Sequence, residues 1–136
     1  MRNRTVVTIP SHPRFLSVIR AVTTTMGKIQ DLDEMVIEDL KLAVDEACSN
    51  VIKHAYGGDT SQRIVVKFNL QKGFEVIIED TGTKADPNLI EGRNLDDIRP
   101  GGLGIHFIRK VFDIFEFDRK KKRGNRLRLL RQVGKE

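Results

Sequence analysis

The chain has 136 residues, of which 39% are hydrophobic and 32% are charged, and its formal net charge is +5. This length and composition predict a single domain over residues 1–136 with one hydrophobic core, and they exclude a disordered chain. The apolar runs are far shorter than the ~20 residues that cross a bilayer, so we expect no membrane anchor and no signal peptide. The single cysteine, Cys48, cannot form an internal disulfide, which favours a cytoplasmic location.

The first half of the chain predicts one strand followed by two helices. Residues 5–9 are β-branched and precede a proline, which indicates a short edge strand. Apolar residues at helical spacing over 15–29 predict an amphipathic helix, with Ser11 as its N-cap. A longer helix is predicted over 33–55 and ends before two glycines.

The second half switches to the two-residue period of strands. Residues 80–101 have no sustained periodicity, and a stretch of this length in a small domain is typical of a lid or a binding loop. The other predicted elements are strands at 64–70 and 74–78, a helix at 103–112, and strands at 114–117 and 127–130. This order predicts an α+β two-layer sandwich, with one mixed β-sheet covered on one face by helices.

The positive charge is concentrated at residues 119–123, which read Arg-Lys-Lys-Lys-Arg. Such a run is compatible with contact to nucleic acid or to an acidic partner. It is also what a solvated hairpin tip looks like, because two alternating apolar segments flank it. Since no aromatic residue is interleaved to stack on bases, we expect a hairpin tip and no direct nucleic-acid contact.

Polar residues on the second helix form one candidate site. Glu46 and Asn50 are four residues apart and therefore share a helix face, which His54 extends. A neutral amide oxygen can bind magnesium without adding charge, and a neighbouring carboxylate can orient or deprotonate a hydroxyl. An ordinary solvated helix face would show the same pattern.

A second candidate site follows the strand at 74–78. Asp80 at the strand end can accept a hydrogen bond from an exocyclic amine such as that of adenine, and Gly82 allows the backbone to approach a flat ring. Aspartate and glycine are also common in plain turns. The pair Gly124–Asn125, before the last strand, is likewise typical of a turn.

The third candidate site is the glycine-rich segment 100–104, which leads into a helix. Backbone N–H groups at a helix N-terminus bind anions, so this segment favours a phosphate contact over a flexible linker. It matches neither a Walker A loop nor a dinucleotide-binding fingerprint.

In this order and spacing, these pieces resemble the GHKL ATPases, the superfamily of gyrase, chaperone, histidine-kinase and mismatch-repair ATPases. Residues 42–50 correspond to the N box, 80–87 to the G1 box and 99–105 to the G2 box. The chain looks closest to the anti-sigma factor serine kinases, and the resemblance covers nearly its whole length. It departs from them at Ala85, where that family commonly has phenylalanine.

The resemblance implies a Bergerat ATP-binding fold that uses ATP and Mg²⁺. It assigns Glu46 as the general base and Asn50 as the magnesium ligand. The implied nucleotide-binding residues are Asn50, His54, Asp80, Gly82, Arg99, Gly101, Gly102, Leu103, Gly104 and Asn125. Within this set, Asp80 would hold the adenine amine above Gly82, and the glycines and Arg99 would contact phosphates.

The function implied by the resemblance is that of an anti-sigma factor protein kinase. Such an enzyme phosphorylates a serine or threonine on an anti-sigma factor antagonist, sequesters a sigma factor, and works as a homodimer. A regulatory module that binds ATP and sequesters its partner without kinase activity is the alternative, which the acidic residue at Glu46 argues against. The catalytic domain of a histidine kinase is a third possibility, disfavoured because no helical hairpin with an acceptor histidine precedes the motifs.

Overall fold

The computed structural model describes residues 3–85 and 102–132. The strands are β1 (Arg4–Pro10), β2 (Arg63–Asn69), β3 (Phe74–Asp80), β4 (Ile114–Phe117) and β5 (Asn125–Arg131). The helices are α1 (Leu16–Ile29), α2 (Glu34–Asn50) and α3 (Gly102–Val111), with a 3₁₀ turn (Pro13–Phe15) before α1 and a π-turn (Val51–Ala55) directly after α2. None of the described helices has both the length and the apolar composition needed to cross a membrane.

The described strands form one sheet in the order β1-β2-β3-β5-β4. The predicted α+β sandwich is confirmed, but the expected mixed sheet is corrected, because every neighbouring pair of these strands is antiparallel. β3 and β4 do run in the same direction and lie on either side of α3 in the chain, as in a parallel crossover unit. Because β5 lies between them, these two parallel strands never pair.

The core lies between the helices and one face of this sheet. Strand residues alternate in burial, so β2 and β3 each present a row of apolar side chains to the helices. The residues in the two rows are Ile64, Val66, Phe68, Phe74, Val76 and Ile78. From the helices, Ile19, Leu40, Val44 and Ile108 are completely buried against them. The same alternation continues to Asp80, which places its carboxylate at the end of an apolar row.

The N-terminus of α1 differs from its prediction, and the basic run agrees with it. Ser11 is not the N-cap of α1, because its buried hydroxyl donates to the Asp59 carbonyl at 2.7 Å and accepts from the Gln62 N–H at 3.0 Å. His12 caps the 3₁₀ turn before α1, since its Nδ1 accepts from the Arg14 N–H at 3.1 Å, and the N-cap of α1 itself is Phe15, which makes no side-chain capping bond. The basic run lies in the turn between β4 and β5, as the hairpin prediction required.

The face of the sheet opposite the helices carries ion pairs that link neighbouring strands. Glu79 on β3 lies 3.2 Å from Lys67 on β2 and 3.0 Å from Arg126 on β5. Partial burial raises the pKa of the Glu79 carboxyl, but hydrogen bonds and positive charge from Lys67 and Arg126 outweigh it, so the net pKa is below 4.5. Charged Glu79 therefore stabilises the folded chain.

We expect Glu79→Gln to lower the free energy of unfolding by about 1 kcal/mol at neutral pH. The pKa of Glu79 is lower in the folded state than the ordinary 4.5, so its contribution is complete above 4.5 and is lost as pH falls through the folded-state pKa. Denaturant unfolding at a series of pH values measures this. Glu116→Gln is the control, because Glu116 is 62% exposed and its pair with Arg128 should contribute less than about 0.5 kcal/mol. Equal losses for the two variants, or a loss for Glu79→Gln that is independent of pH, would contradict the expectation.

Candidate functional site

A pocket of about 300 Å³ lies between the sheet and the helices α2 and α3. Most of its lining is apolar and consists of Ala47, Val51, Ala55, Ile78, Ala85, Ile105, Ile108, Phe115, Phe117 and Leu127. The polar lining residues are Asn50, His54, Asp80, Thr83, Lys84 and Asn125. A largely apolar pocket with a few polar groups is suited to a flat heteroaromatic ligand, and its volume is at the lower end of the range for small-molecule sites.

Asp80 and Asn125 form a buried pair at one end of this pocket. They face each other across β3 and β5, and only 4% of Asp80 and 7% of Asn125 is exposed. The Asn125 amide donates to Oδ1 of Asp80 at 3.1 Å and to the Thr83 carbonyl at 2.9 Å, while its oxygen accepts from the Ala85 N–H at 2.8 Å. Asn125 therefore holds both the carboxylate and the segment that follows β3.

The two oxygens of Asp80 have different surroundings. Oδ1 accepts from the Gly82 N–H at 2.8 Å as well as from Asn125. Among the described side chains, Oδ2 has the longer contact, 3.3 Å to the same Asn125 amide, so it retains the greater capacity to accept a further hydrogen bond. Burial raises the pKa of the Asp80 carboxyl, and the hydrogen bonds from Gly82 and Asn125 offset this only in part. An amine donated to Oδ2 would compensate for that burial.

The π-turn at the end of α2 anchors the residues after Asp80. Its backbone bonds run from the Tyr56 N–H to the Val51 carbonyl at 2.9 Å, five residues back, so the ordinary α-helical pairing is shifted. The Ala55 carbonyl accepts instead from the Thr83 N–H at 2.7 Å. Short π-turns of this kind are frequent at functional sites. The predicted helix over 33–55 is thus confirmed in extent, but its last turn is π-helical and is bonded to the segment after β3.

Gly82 lies against this π-turn. A β-carbon at position 82 would stand 2.6 Å from the carbonyl carbon of Ala55, so no larger residue fits without moving the turn. Gly82 does not line the pocket, and its role under a bound base remains a prediction. The observed reason for glycine is the close approach of two backbone segments.

The predicted polar face of α2 is only partly directed into the pocket. Asn50 and His54 line it, and Asn50 is half-buried while His54 is exposed. Glu46 does not line it and lies one turn earlier, half-buried beside Gly104. A β-carbon at Gly104 would stand 2.6 Å from Cδ of Glu46, so the Glu46 carboxylate occupies space that any larger residue at position 104 would fill.

The position of Gly104 is informative because it is the third residue of α3. The first turn of a helix has unpaired N–H groups and the positive end of the helix dipole, and both attract anions. The Glu46 carboxylate therefore lies against the part of α3 where a phosphate was predicted to bind. Gly102 and Leu103 start the same helix. Arg99 and Gly101 lie outside the described residues.

Several lining residues were not singled out from the sequence. A signal for some of them exists, since Ile78 precedes Asp80 by two residues and Leu127 follows Asn125 by two. Residues two apart on a strand face the same side, so each polar residue predicts an apolar neighbour in the pocket. Phe115 and Phe117 on β4 are also two residues apart, with the exposed Glu116 between them, so both face the pocket side. Thr83 and Lys84 had no such signal because they follow the strand.

The described residues of the site offer oxygen atoms to a cation but not a complete set of protein ligands. No group of three His, Cys, Asp or Glu residues within 3–85 and 102–132 has metal-binding geometry. Mg²⁺ usually keeps several waters and takes one or two protein ligands together with substrate phosphates, and the Asn50 amide oxygen fits that role. Cys48 is completely buried in the core, and this burial together with the charge of Asp45 raises the pKa of its thiol. It has no part in the pocket.

Comparison with known proteins identifies the family. The profile of the histidine kinase-like ATPase domain matches residues 9–131. The chain belongs to the histidine kinase-like ATPase family. The predicted GHKL resemblance is thereby confirmed.

Several curated relatives of this family member are serine-protein kinases named RsbW. The protein from Bacillus subtilis is 30% identical over 118 residues, which cover 77% of this chain and 71% of the relative. The one from Halalkalibacterium halodurans is 31% identical over 119 residues, covering 81% and 72%. The one from Listeria innocua is 29% identical over 122 residues, covering 83% and 78%. The matched lengths show that the similarity is not confined to the short motifs.

A solved structure supports the fold. The histidine kinase domain of the blue-light activated histidine kinase from Erythrobacter litoralis EL346 superimposes with a TM-score of 0.54 at 16% sequence identity. The match covers 92% of this chain, which spans 62% of that solved chain. At this identity the likeness concerns the fold, and it agrees with the sheet and helix arrangement described above.

Proposed function

We propose that this protein is an ATP-dependent protein serine/threonine kinase. The observation that carries the proposal is the presence of a buried carboxylate, Asp80, and a potential magnesium ligand, Asn50, in the walls of one apolar pocket. Membership of an ATPase family and about 30% identity to serine-protein kinases support the same activity. Glu46, next to α3, supplies the group that a kinase requires and a simple binding module does not.

The apolar part of the pocket would hold the adenine ring. Ile78 and Leu127 on the sheet and Ile108 on α3 provide flat apolar contact, and Oδ2 of Asp80 would accept a hydrogen bond from the exocyclic amine. Asn125 keeps the carboxylate in place through its own amide. An aromatic amine is the partner that best matches a buried acceptor between apolar walls, because an unpaired buried acceptor is costly.

The phosphate end of the site would lie towards α2 and α3. Asn50 would bind Mg²⁺ through its amide oxygen, and the first turn of α3, with Gly102, Leu103 and Gly104, would direct N–H groups at phosphate oxygens. Arg99 and Gly101 are proposed to add contacts there, and His54 to contact the nucleotide from the end of α2. Bound ATP–Mg supplies the γ-phosphoryl group. Little covalent chemistry is needed from the protein, whose task is to position the reactants and neutralise charge.

Glu46 would accept the proton of the attacking serine or threonine hydroxyl. Its carboxylate lies beside the first turn of α3, where the phosphates are proposed to bind, and it is only half-buried, so a substrate hydroxyl brought to the γ-phosphate would meet it. General-base assistance of this type accelerates a reaction by about 100- to 10,000-fold. The absence of a side chain at Gly104 lets the carboxylate lie against this turn.

We further propose the biological setting that the family resemblance implies. The phospho-acceptor would be an anti-sigma factor antagonist, and the same protein would sequester a sigma factor, acting in the cytoplasm as a homodimer built from one domain over residues 1–136. The alternative is a module that binds ATP and sequesters its partner without transferring phosphate. A phosphotransfer assay with a candidate antagonist separates the two.

The first test of the site is calorimetric titration with ATP, with and without Mg²⁺, on the wild type and on Asn50→Ala. We expect wild-type binding to strengthen with Mg²⁺ and the variant to lose most of this increment while it still binds the metal-free nucleotide. Ser49→Ala, on the neighbouring residue of α2, is the control and should keep the Mg²⁺ increment. Absence of ATP binding by the wild type would overturn the proposed function.

A further inference from the structure

Tyr56 lies at the end of the π-turn, and its hydroxyl joins two separate backbone segments. The hydroxyl accepts from the Thr81 N–H at 2.9 Å and donates to the Arg63 carbonyl at 2.6 Å. Thr81 is the residue between Asp80 and Gly82, and Arg63 is the first residue of β2. A single oxygen therefore connects the start of β2 to the turn that carries the buried carboxylate.

The Arg63 end of this connection is firmly held. The loop before it is fixed to the end of β1, because the buried Ser11 hydroxyl bonds to Asp59 and Gln62 at 2.7 and 3.0 Å. The backbone of Ser11 also donates to the Gln62 carbonyl at 2.9 Å. Tyr56 therefore ties the turn after Asp80 to the start of β2, next to a segment that is itself hydrogen-bonded to Ser11.

Tyr56 is not part of the apolar pocket that is proposed to hold the adenine. It lines a neighbouring polar cleft together with Thr81 and Gly82, and that cleft shares Thr83 with the pocket. Its hydroxyl reaches the pocket through the turn, because it accepts from the Thr81 N–H next to Asp80. The turn has a second anchor in the bond from Thr83 to Ala55, so loss of the hydroxyl would shift the Asp80 end without releasing the whole segment.

We propose that Tyr56 is a positioning residue for adenine recognition, acting by holding the backbone between Asp80 and Gly82. The orientation of the Asp80 carboxylate depends on this backbone, because its Oδ1 accepts from the Gly82 N–H. The inference rests on the proposed function, since it concerns the hydrogen bond from Asp80 to the adenine amine. Within the described residues, the Tyr56 hydroxyl bonds to Arg63 and Thr81 and not to the phosphate end of the site on α2 and α3.

The test compares ATP with purine riboside triphosphate, which lacks the 6-amino group, on the wild type and on Tyr56→Phe. The wild type should prefer ATP. We expect Tyr56→Phe to bind ATP about 3- to 10-fold more weakly, because the hydrogen bond between Asp80 and the adenine amine is weakened, and to bind the analogue almost as the wild type does. Ser17→Ala, which removes a hydroxyl on α1 that donates to the Arg14 carbonyl, should change neither affinity.

The outcomes are distinguishable. If the wild type prefers ATP and Tyr56→Phe keeps that preference unchanged, or weakens both ligands equally, the positioning role is wrong while the proposed nucleotide site stands. If the wild type binds both ligands alike, the amine contact of Asp80 fails and this inference fails with it. Thermal unfolding of both variants confirms that each is folded at the titration temperature.

Discussion

Glu46→Gln is expected to slow phosphoryl transfer by about 100- to 10,000-fold while leaving ATP affinity within about twofold of the wild type. Glutamine has nearly the same shape as glutamate and cannot accept the hydroxyl proton. Glu46 does not line the pocket, so its replacement removes no contact with the adenine end. The measurement is the rate of phosphate transfer from labelled ATP to a serine of a candidate antagonist under single-turnover conditions, alongside calorimetric ATP binding.

The control for this change is Glu38→Gln on the same helix. Glu38 is exposed, forms an ion pair with Lys41 at 2.9 Å and does not line the pocket, so its replacement removes the same charge without removing a pocket contact. It should transfer phosphate at the wild-type rate. If Glu46→Gln transfers phosphate at the wild-type rate, Glu46 is not the general base and another group accepts the hydroxyl proton.

Asp80→Asn is expected to weaken ATP binding by about 10- to 150-fold, as the loss of a hydrogen bond to a charged acceptor predicts. Asparagine can keep the fold contacts of Oδ1, because its single oxygen can still accept from Gly82 and Asn125. Its amide nitrogen would then replace Oδ2 and face the adenine amine, donor against donor. Calorimetry in the presence of Mg²⁺ measures the change, and Asp39→Asn on the exposed side of α2 is the control.

The same variant has a predicted effect on stability that tests whether it remains folded. Burial raises the pKa of Asp80 above 3.8 in the folded state, so the carboxyl contributes stability at low pH that is lost as pH rises through the raised pKa. At neutral pH the ionised group therefore costs stability, and Asp80→Asn should unfold at the wild-type temperature or higher. Weak ATP binding together with a lowered unfolding temperature would indicate damage to the fold instead of loss of the adenine contact.

The sequence predicted the elements well where one hydrophobic period ran without interruption. Helices near 16–29 and 34–50 and strands near 64–70 and 74–78 were found within a few residues of their bounds. Their patterns are decided locally, because burial of every second or every third to fourth residue requires only neighbouring positions. Asn125 was different: Gly124–Asn125 reads as a turn, yet Asn125 begins β5 opposite Asp80. Strand pairing over 45 residues of separation is not visible in a local pattern.

The sequence by itself determined the family, the fold class and the set of candidate residues, because glycines and carboxylates at characteristic spacings mark the motifs. Only the tertiary structure decided how those residues meet. It placed the Asn125 amide on the Asp80 carboxylate and ended α2 in a π-turn whose Ala55 carbonyl accepts from the Thr83 N–H. It also placed the Glu46 carboxylate where a side chain at position 104 would otherwise lie. These are contacts between distant segments, and their energies depend on packing and burial, which arise only when the sheet and helices come together.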